Sequence, residues 1–539
     1  VYAQVFSVLY RVGEIVLVVV IAADIIILFV VKAQLTVELK QYFHSENRLN
    51  TIFAGIVCVI VGVIVSKLTA LPAGHYDSSL YHAQSIRWIE EYGVVKGLGN
   101  LHNRFAYNSA FFCLQALFSF SFLLGKSLHT INGFIAAIFL CYALCSAKVW
   151  KNKRVTVSDF LRLGLIAHII SESAVFSSPG SDILSVGLVL YIVCKWVSYQ
   201  EDRQDKLLPY IELCFLAVWA VSVKLSASAI VFLAIYPGVK LIKCKEWKQI
   251  VLYVFIGVGI IVPFLIRNVI ISGYLIYPYP ELDLFSVDWK MPSYTLLFDR
   301  NEITAWGRGL RDVFRFNEPF RVWFPIWYET LGALKKWWWL ALISGGILAI
   351  KSVYKFVCAI RKCSMTESLI EDALQYILVV FTVIGCILVW FIGSPLPRYG
   401  GGYLRILSMF GIGELVVKLC SKLDRSKIGP VCYAFVLGIL YAPLGGKTDM
   451  HLLRVPDYNN YSYDEVMIEQ SSFYVPNGGD QIGYAVFPST PYRKRLDEIE
   501  LRGNTLCDGF RMKNEYKDSF VSTYGEVYSD NMFDKDAGR

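Results

Sequence analysis

Apolar runs of about twenty residues, some shorter, recur along the whole chain and constrain its fold more than any other feature. They cover roughly residues 14–31, 50–69, 129–148, 159–177, 182–199, 207–222, 225–239, 249–271, 337–354, 372–392, 403–420 and 428–444. A helix rising ~1.5 Å per residue crosses the ~30 Å hydrocarbon layer of a bilayer in about twenty residues. The runs are unbroken rather than alternating, which predicts helices and not the strands of a barrel. With 55% hydrophobic and 18% charged residues in 539, and a mean hydropathy of +0.48, the expected class is an all-α polytopic membrane protein with about twelve transmembrane helices.

A formal charge of +8 would suggest a nucleic-acid partner in a soluble protein. Here the cations fall in alternate gaps between runs, which is the pattern of topology, and no nucleic-acid partner is expected. The gaps holding Lys148, Lys151, Lys153 and Arg154, then Lys240, Lys243, Lys245 and Lys248, then Lys351, Lys355, Arg361 and Lys362, then Lys418, Lys422, Arg425 and Lys427 are predicted to be cytoplasmic. The opposite face then receives the loop at about 70–128, the SSPGSD turn ending at Asp182, the loop at about 272–336, the short GSPLPRYGGG loop, and the tail. The reading divides the chain into a transmembrane domain, 1–444, and a small extracytoplasmic α+β cap, 445–539, whose tyrosine-rich tail carries turn signals at PNGGD and STP. Most of the 13 cysteines lie in or beside apolar runs, so no disulfide framework or CxxC metal site is implied.

The stretch Ala106–Leu124 is apolar, but counting it as a span would reverse the side of the next basic gap, so it is assigned to the interface. SSLYHAQSIRWIEEYG before it reads as a short amphipathic helix on the same side, with Glu90 and Glu91 as its solvated end. Just ahead of that helix, and soon after the run ending near Thr69, His75, Tyr76, Asp77, Tyr81, His82 and Arg87 crowd together. An ionisable group at a membrane exit is costly unless it has partners or faces a wet cavity. Asp77 is the expected proton acceptor for a substrate hydroxyl, its pKa raised by aromatic and imidazole neighbours, although a helix N-cap is the plainer role. His75 and His82 lack a fixed ligand spacing with Asp77, so no metal is expected.

Other polar groups occupy the same face. Asn100, His102, Asn103, Arg104 and Asn108 could grip a sugar or phosphate, or simply turn the loop. Asp182 is a second acid or a helix cap, and Lys224 is a phosphate contact or a snorkelling cation. Arg267, and Arg398 with Tyr399, lie where apolar runs leave the membrane, at the depth of a lipid phosphate, for which guanidinium groups make forked, charge-assisted bonds. YGGGY lacks the strand, helix and lysine of a nucleotide loop.

An acid in the first long outward loop, interfacial helices, a second acid in a short outward loop, RNxxxSGYxxYP and a late PxPRY loop together resemble the GT-C superfamily, integral-membrane glycosyltransferases that use polyprenyl-phosphate sugars. The resemblance covers roughly residues 50–420. The tracts YDSSLYHAQSIRWIEEYGVVKGLGNLHNRFAYNS and LRGNTLCDGFR also look like an uncharacterised bacterial membrane-protein family near that fold. The resemblance implies Asp77 as first-loop catalytic acid, Asp182 as second-loop acid, and Arg267, Arg398 and Lys224 with Tyr399 as donor-phosphate contacts. It leaves Tyr81, His82, Arg87, His102, Arg104 and Asn108 as substrate contacts. Many members carry an Asp-Glu pair in the first loop, whereas Ser78 follows Asp77, and no metal or other cofactor is expected. The implied activity is inverting sugar transfer from a lipid-linked donor to a glycan or lipid acceptor at the outer face of a bacterial cytoplasmic membrane. A carrier or flippase for a lipid-linked saccharide, or a surface-glycan polymerase or ligase, is the alternative.

Overall fold

The computed structural model describes residues 1–44, 48–149, 155–361, 367–422, 458–517, 519–521 and 527–529. Among these, seven helices are long and apolar enough to cross a membrane: Glu14–Val37, Thr51–Thr69, Asp182–Glu201, Leu225–Lys243, Trp247–Ser272, Gly332–Arg361 and Ser368–Gly393. Their outward faces are apolar. Phe29, Val30, Val251 and Phe255 are all exposed, and only 11% of the most apolar stretch of Trp247–Ser272 is buried inside the protein. A contiguous apolar surface of that extent requires lipid around it, so the chain is a multi-pass membrane protein.

The runs near 129–148, 159–177 and 207–222 form the shorter helices Ile131–Cys145, Val157–Ser171 and Leu208–Val223, of 15, 15 and 16 residues. At ~1.5 Å per residue they rise only about 23 Å. A capping box between Thr156 and Asp159 fixes where the second of them begins, and its side chains are buried along almost its whole length. The run at 428–444 lies outside the described residues, as do Lys151, Lys153, Arg154, Lys362, Arg425 and Lys427.

GSPLPRYGGG is not a loop throughout. A helix starts at Pro397 and runs to Lys422, because proline suits a first helical turn and the glycines are needed for contact rather than for bending. A Cβ on Gly400 would lie 2.1 Å from the Trp390 ring, and one on Gly402 would lie 2.5 Å from Val186 and 3.1 Å from the His168 ring. Glycine costs about 1 kcal/mol in a helix interior, and here close packing of the central helices offsets that cost.

In the first loop, Ser78–His82 forms a π-helical turn that continues into the helix Ala83–Tyr92, which stops at Gly93 with φ +78°. Ala106–Leu124 does not form one long helix: Ala110–Leu117 is capped by Ser109, and Ser121–Leu124 is a separate turn. The Ser78–Tyr92 segment was expected to lie at the interface with a solvated end. It is instead covered by the C-terminal region, and Glu90 is buried, while Glu91 stays exposed. The cap supplies the antiparallel hairpins Tyr463–Ile468 with Ser471–Pro476 and Ile499–Leu501 with Phe510–Met512. Its Phe473, Ile482, Leu496 and Phe510 share one apolar core with Trp88, Leu98, Leu101 and Met291. That shared core gives a small sheet region the buried area it could not assemble alone.

Candidate functional site

Four separate elements bring charged side chains to one place. Asp77 ends the segment leading into the π-helical turn, Asp182 opens the helix Asp182–Glu201, Lys224 closes Leu208–Val223, and Arg398 sits in the first turn of Pro397–Lys422. Arg398 is the hub. Its Nη2 donates to Asp77 Oδ2 at 2.6 Å and to the Tyr399 hydroxyl at 2.9 Å, its Nε lies 3.6 Å from Asp182 Oδ2, and its Nη1 meets His75 Nε2. Lys224 pairs with Asp182 and stands over the Tyr399 ring, 3.3 Å from its centroid. Two acids thus face two cations across one tyrosine. The four side chains keep 12–30% of their surface exposed, so the cluster is open to a ligand.

The electrostatics follow from that geometry. Burial raises the pKa of the Asp77 carboxyl, but the Arg398 guanidinium, with His82 and His75 behind it, outweighs burial and holds it well below the usual carboxylate range. This corrects the sequence expectation of a raised pKa, which did not include a guanidinium more than three hundred residues away in the chain. Burial pushes His82 down to about 3, so its ring is neutral. His75 bridges Arg398 and Asp77: its Nε2 meets Arg398 Nη1, while its Nδ1 lies 3.2 Å from the Asp77 backbone N and 4.0 Å from Asp77 Oδ2.

The π-helical turn makes the local arrangement possible. With one extra residue per turn, position i+5 lies under position i, which sets His82 beside Asp77 while its ring packs against Tyr81 at 4.3 Å and Phe112 at 5.4 Å. Ser79 O of that turn accepts from the backbone N–H groups of Ile482 and Gly483, both at 2.8 Å, and Tyr76 donates to Asp480 at 2.6 Å. A strap at 480–489 therefore holds the turn from the cap side.

On the far side of Asp77, Arg104 stands 6.0 Å from the Tyr81 ring centroid and donates to Glu302 at 3.2 Å. Asn103 and Tyr277 donate to the buried Asp299, each at 2.7 Å. Burial pushes the Asp299 and Glu302 carboxyls up. Nothing in the sequence around DRNE marks these two acids, because only the tertiary position of the helix Ser293–Gly307 brings them here.

Several residues singled out from the sequence are engaged elsewhere. Arg267 is buried and donates to Asn108 Oδ1 at 3.0 Å and Ser7 Oγ at 2.5 Å, and Asn108 itself donates to Phe264 O and Asn268 Oδ1. Arg87 donates to the Tyr484 and Ala485 carbonyls and stands over the Phe487 ring, joining the first loop to the strap. His102 is buried edge-on against Phe105 and Tyr492. These positions suit architecture: the sequence shows which end of a helix a side chain occupies, but not which way round that end it points.

Among the described residues no three His, Cys, Asp or Glu side chains are grouped so as to hold a metal ion. No curated protein and no solved structure matches the chain. A family model does match, described as a domain of unknown function, DUF8201, over residues 1–405, which include His75, Asp77, Asp182, Lys224 and Arg398, and the chain belongs to that family.

Proposed function

We propose that this protein is a membrane glycosyltransferase of GT-C-like fold, with about twelve transmembrane helices, which moves a sugar from a polyprenyl-phosphate donor to a cell-envelope glycan or lipid acceptor. The site would face the extracytoplasmic side of a bacterial cytoplasmic membrane. The observation that carries this reading is the convergence of Asp77, Asp182, Lys224 and Arg398 from four elements around Tyr399, half-open, at the ends of apolar helices. A carboxylate beside two cations can remove a proton while the cations hold a leaving phosphate.

The donor phosphate takes Arg398 and Lys224 as counter-charges. Asp77, released from part of its bond to Arg398, gains basicity and takes the acceptor O–H proton. The acceptor oxygen forms a bond to the anomeric carbon as the carbon–phosphate oxygen bond breaks, and the electron pair leaves on the polyprenyl phosphate. Attack opposite the leaving group inverts the anomeric centre, and the cations stabilise the charge that develops on the phosphate. Asp182 holds Lys224 and the rear of Arg398 in place. Tyr81 and Arg104 border the acceptor side.

The test is release of polyprenyl phosphate from labelled polyprenyl-phosphate sugars by the purified protein in the presence of a membrane extract. Asp77→Asn is expected to keep donor binding and to lose about 10²- to 10⁴-fold in rate. Full turnover in that variant removes Asp77 as the base. Binding without turnover in native protein, across a donor panel with acceptors shown to be present, replaces the enzyme by a carrier for the same lipid.

A further inference from the structure

Behind the Asp77 turn a few polar groups face a largely apolar space. A small cavity is lined by Ser85, Ile89, Tyr107, Asn108, Phe112 and Arg267, among others, between the first loop and the helix Trp247–Ser272. Arg267 is 2% exposed. Its Nε and Nη1 donate only to the neutral acceptors Asn108 Oδ1 and Ser7 Oγ, and among the described residues no carboxylate pairs with it. The Ser85 hydroxyl, also buried, has no hydrogen-bond partner among the described residues.

A buried guanidinium without a counter-charge is strongly disfavoured, and an ionisable group this close to the hydrocarbon implies a partner. The cavity has a volume of about 10 Å³, room for roughly one particle the size of a water molecule. A phosphate or a lipid headgroup does not fit that space. We infer that the Arg267 cavity binds a small monovalent anion of the chloride type, held by the Arg267 guanidinium and the Ser85 hydroxyl. Phe112, which packs on His82, and Tyr107, which packs 5.8 Å from Tyr81, connect the anion to the turn that carries Asp77.

The test compares thermal unfolding of the purified full-length protein in sodium chloride and in sodium gluconate at equal ionic strength. Chloride and bromide are expected to raise the unfolding midpoint saturably in native protein, and Arg267→Gln to abolish that dependence. Ser85→Ala is expected to raise the half-saturating chloride concentration by about tenfold or more, the effect of one lost hydrogen bond to an ion. Ser85→Ala decides alone if Arg267→Gln fails to fold. Identical melting in the two salts, or a chloride response of unchanged midpoint in Ser85→Ala, overturns the inference. The readout is independent of any sugar transfer.

Discussion

Removing Arg398 should convert Asp77 from a permanently ionised group into one that titrates in the ordinary carboxylate range. The guanidinium donates to Asp77 at 2.6 Å, which sets the charge centres about 4 Å apart. At an effective dielectric constant of ~20 such a pair is worth about 4 kcal/mol. At 1.36 kcal/mol per pH unit, its loss moves the carboxyl titration up by about three pH units, while the burial that disfavours the anion remains. The variant is Arg398→Gln, and the assay is infrared difference spectroscopy of the protonated-carboxyl band between about pH 3 and 6, with Asp77→Asn as the control that assigns the band. Native protein is expected to show no Asp77-dependent band over this range, Arg398→Gln to show one, and the double variant to lose it. If the band is absent from Arg398→Gln, then Arg104 and the other remaining neighbours suffice to keep Asp77 ionised, and arrival of a phosphate at Arg398 cannot raise the basicity of Asp77.

Two further expectations concern the strap. Gln84 is buried, donates to the Gly483 and Val486 carbonyls at 3.3 and 2.7 Å, and accepts from Ser489 N. Gln84→Ala strands these groups and should cost roughly 2–4 kcal/mol, read as a lower unfolding midpoint with faster proteolysis within 480–489; unchanged proteolysis would show that the strap is held elsewhere. Glu90, which accepts from Tyr484 at 2.6 Å and Ser127 at 3.1 Å, is pushed up by burial from 4.5 to about 7. The folded state therefore keeps a proton that the unfolded chain has lost between those values, so stability falls as pH rises through that window and levels off above it, by roughly 3 kcal/mol in all. Glu90→Gln should flatten the pH dependence of the unfolding midpoint, and a slope that survives the substitution assigns it to another group.

Seven of the twelve expected spans were legible because the length of an apolar run is a local property of the chain, whereas the short helices Ile131–Cys145, Val157–Ser171 and Leu208–Val223 show that an apolar run can also serve a buried core. The alternation of basic gaps also put Asp77, Asp182, Lys224 and Arg398 on one face, and the fold brings these four into contact. What stayed hidden was azimuth. Arg267, near the C-terminal end of Trp247–Ser272, was expected on the same face as Arg398, but it turns toward Ser7 and Asn108. Glu90 follows seven residues after Ala83 on a helix whose outer side looked solvated, until the strap from 480–489 covered it. The three glycines after Tyr399 suggested a loop by propensity, and the close approach of Trp390 and His168 overrode that propensity. Asp299 and Glu302 gave no signal, since their importance arises only from what Tyr277, Asn103 and Arg104 bring to them.

The site is assembled from two bodies of differing support, and this places an unusual demand on Arg398. Asp182, Lys224 and Arg398 itself are fixed by the packed helical core, whereas Asp77 rides on a loop turn held by Ser79, Gln84 and Arg87 against the cap. The bonds from Arg398 to Asp77 and His75 tie that turn to the core. A lysine at 398 would keep the charge, but as a compact ammonium it could not reach Asp77, His75, Tyr399 and Asp182 together in the planar fork that a guanidinium provides. Charge and tether are therefore separable: Arg398→Lys preserves a cation while loosening the turn that carries Asp77. If charge alone mattered, lysine would serve as well as arginine, and the convergence of four partners on one planar group argues that position matters as much.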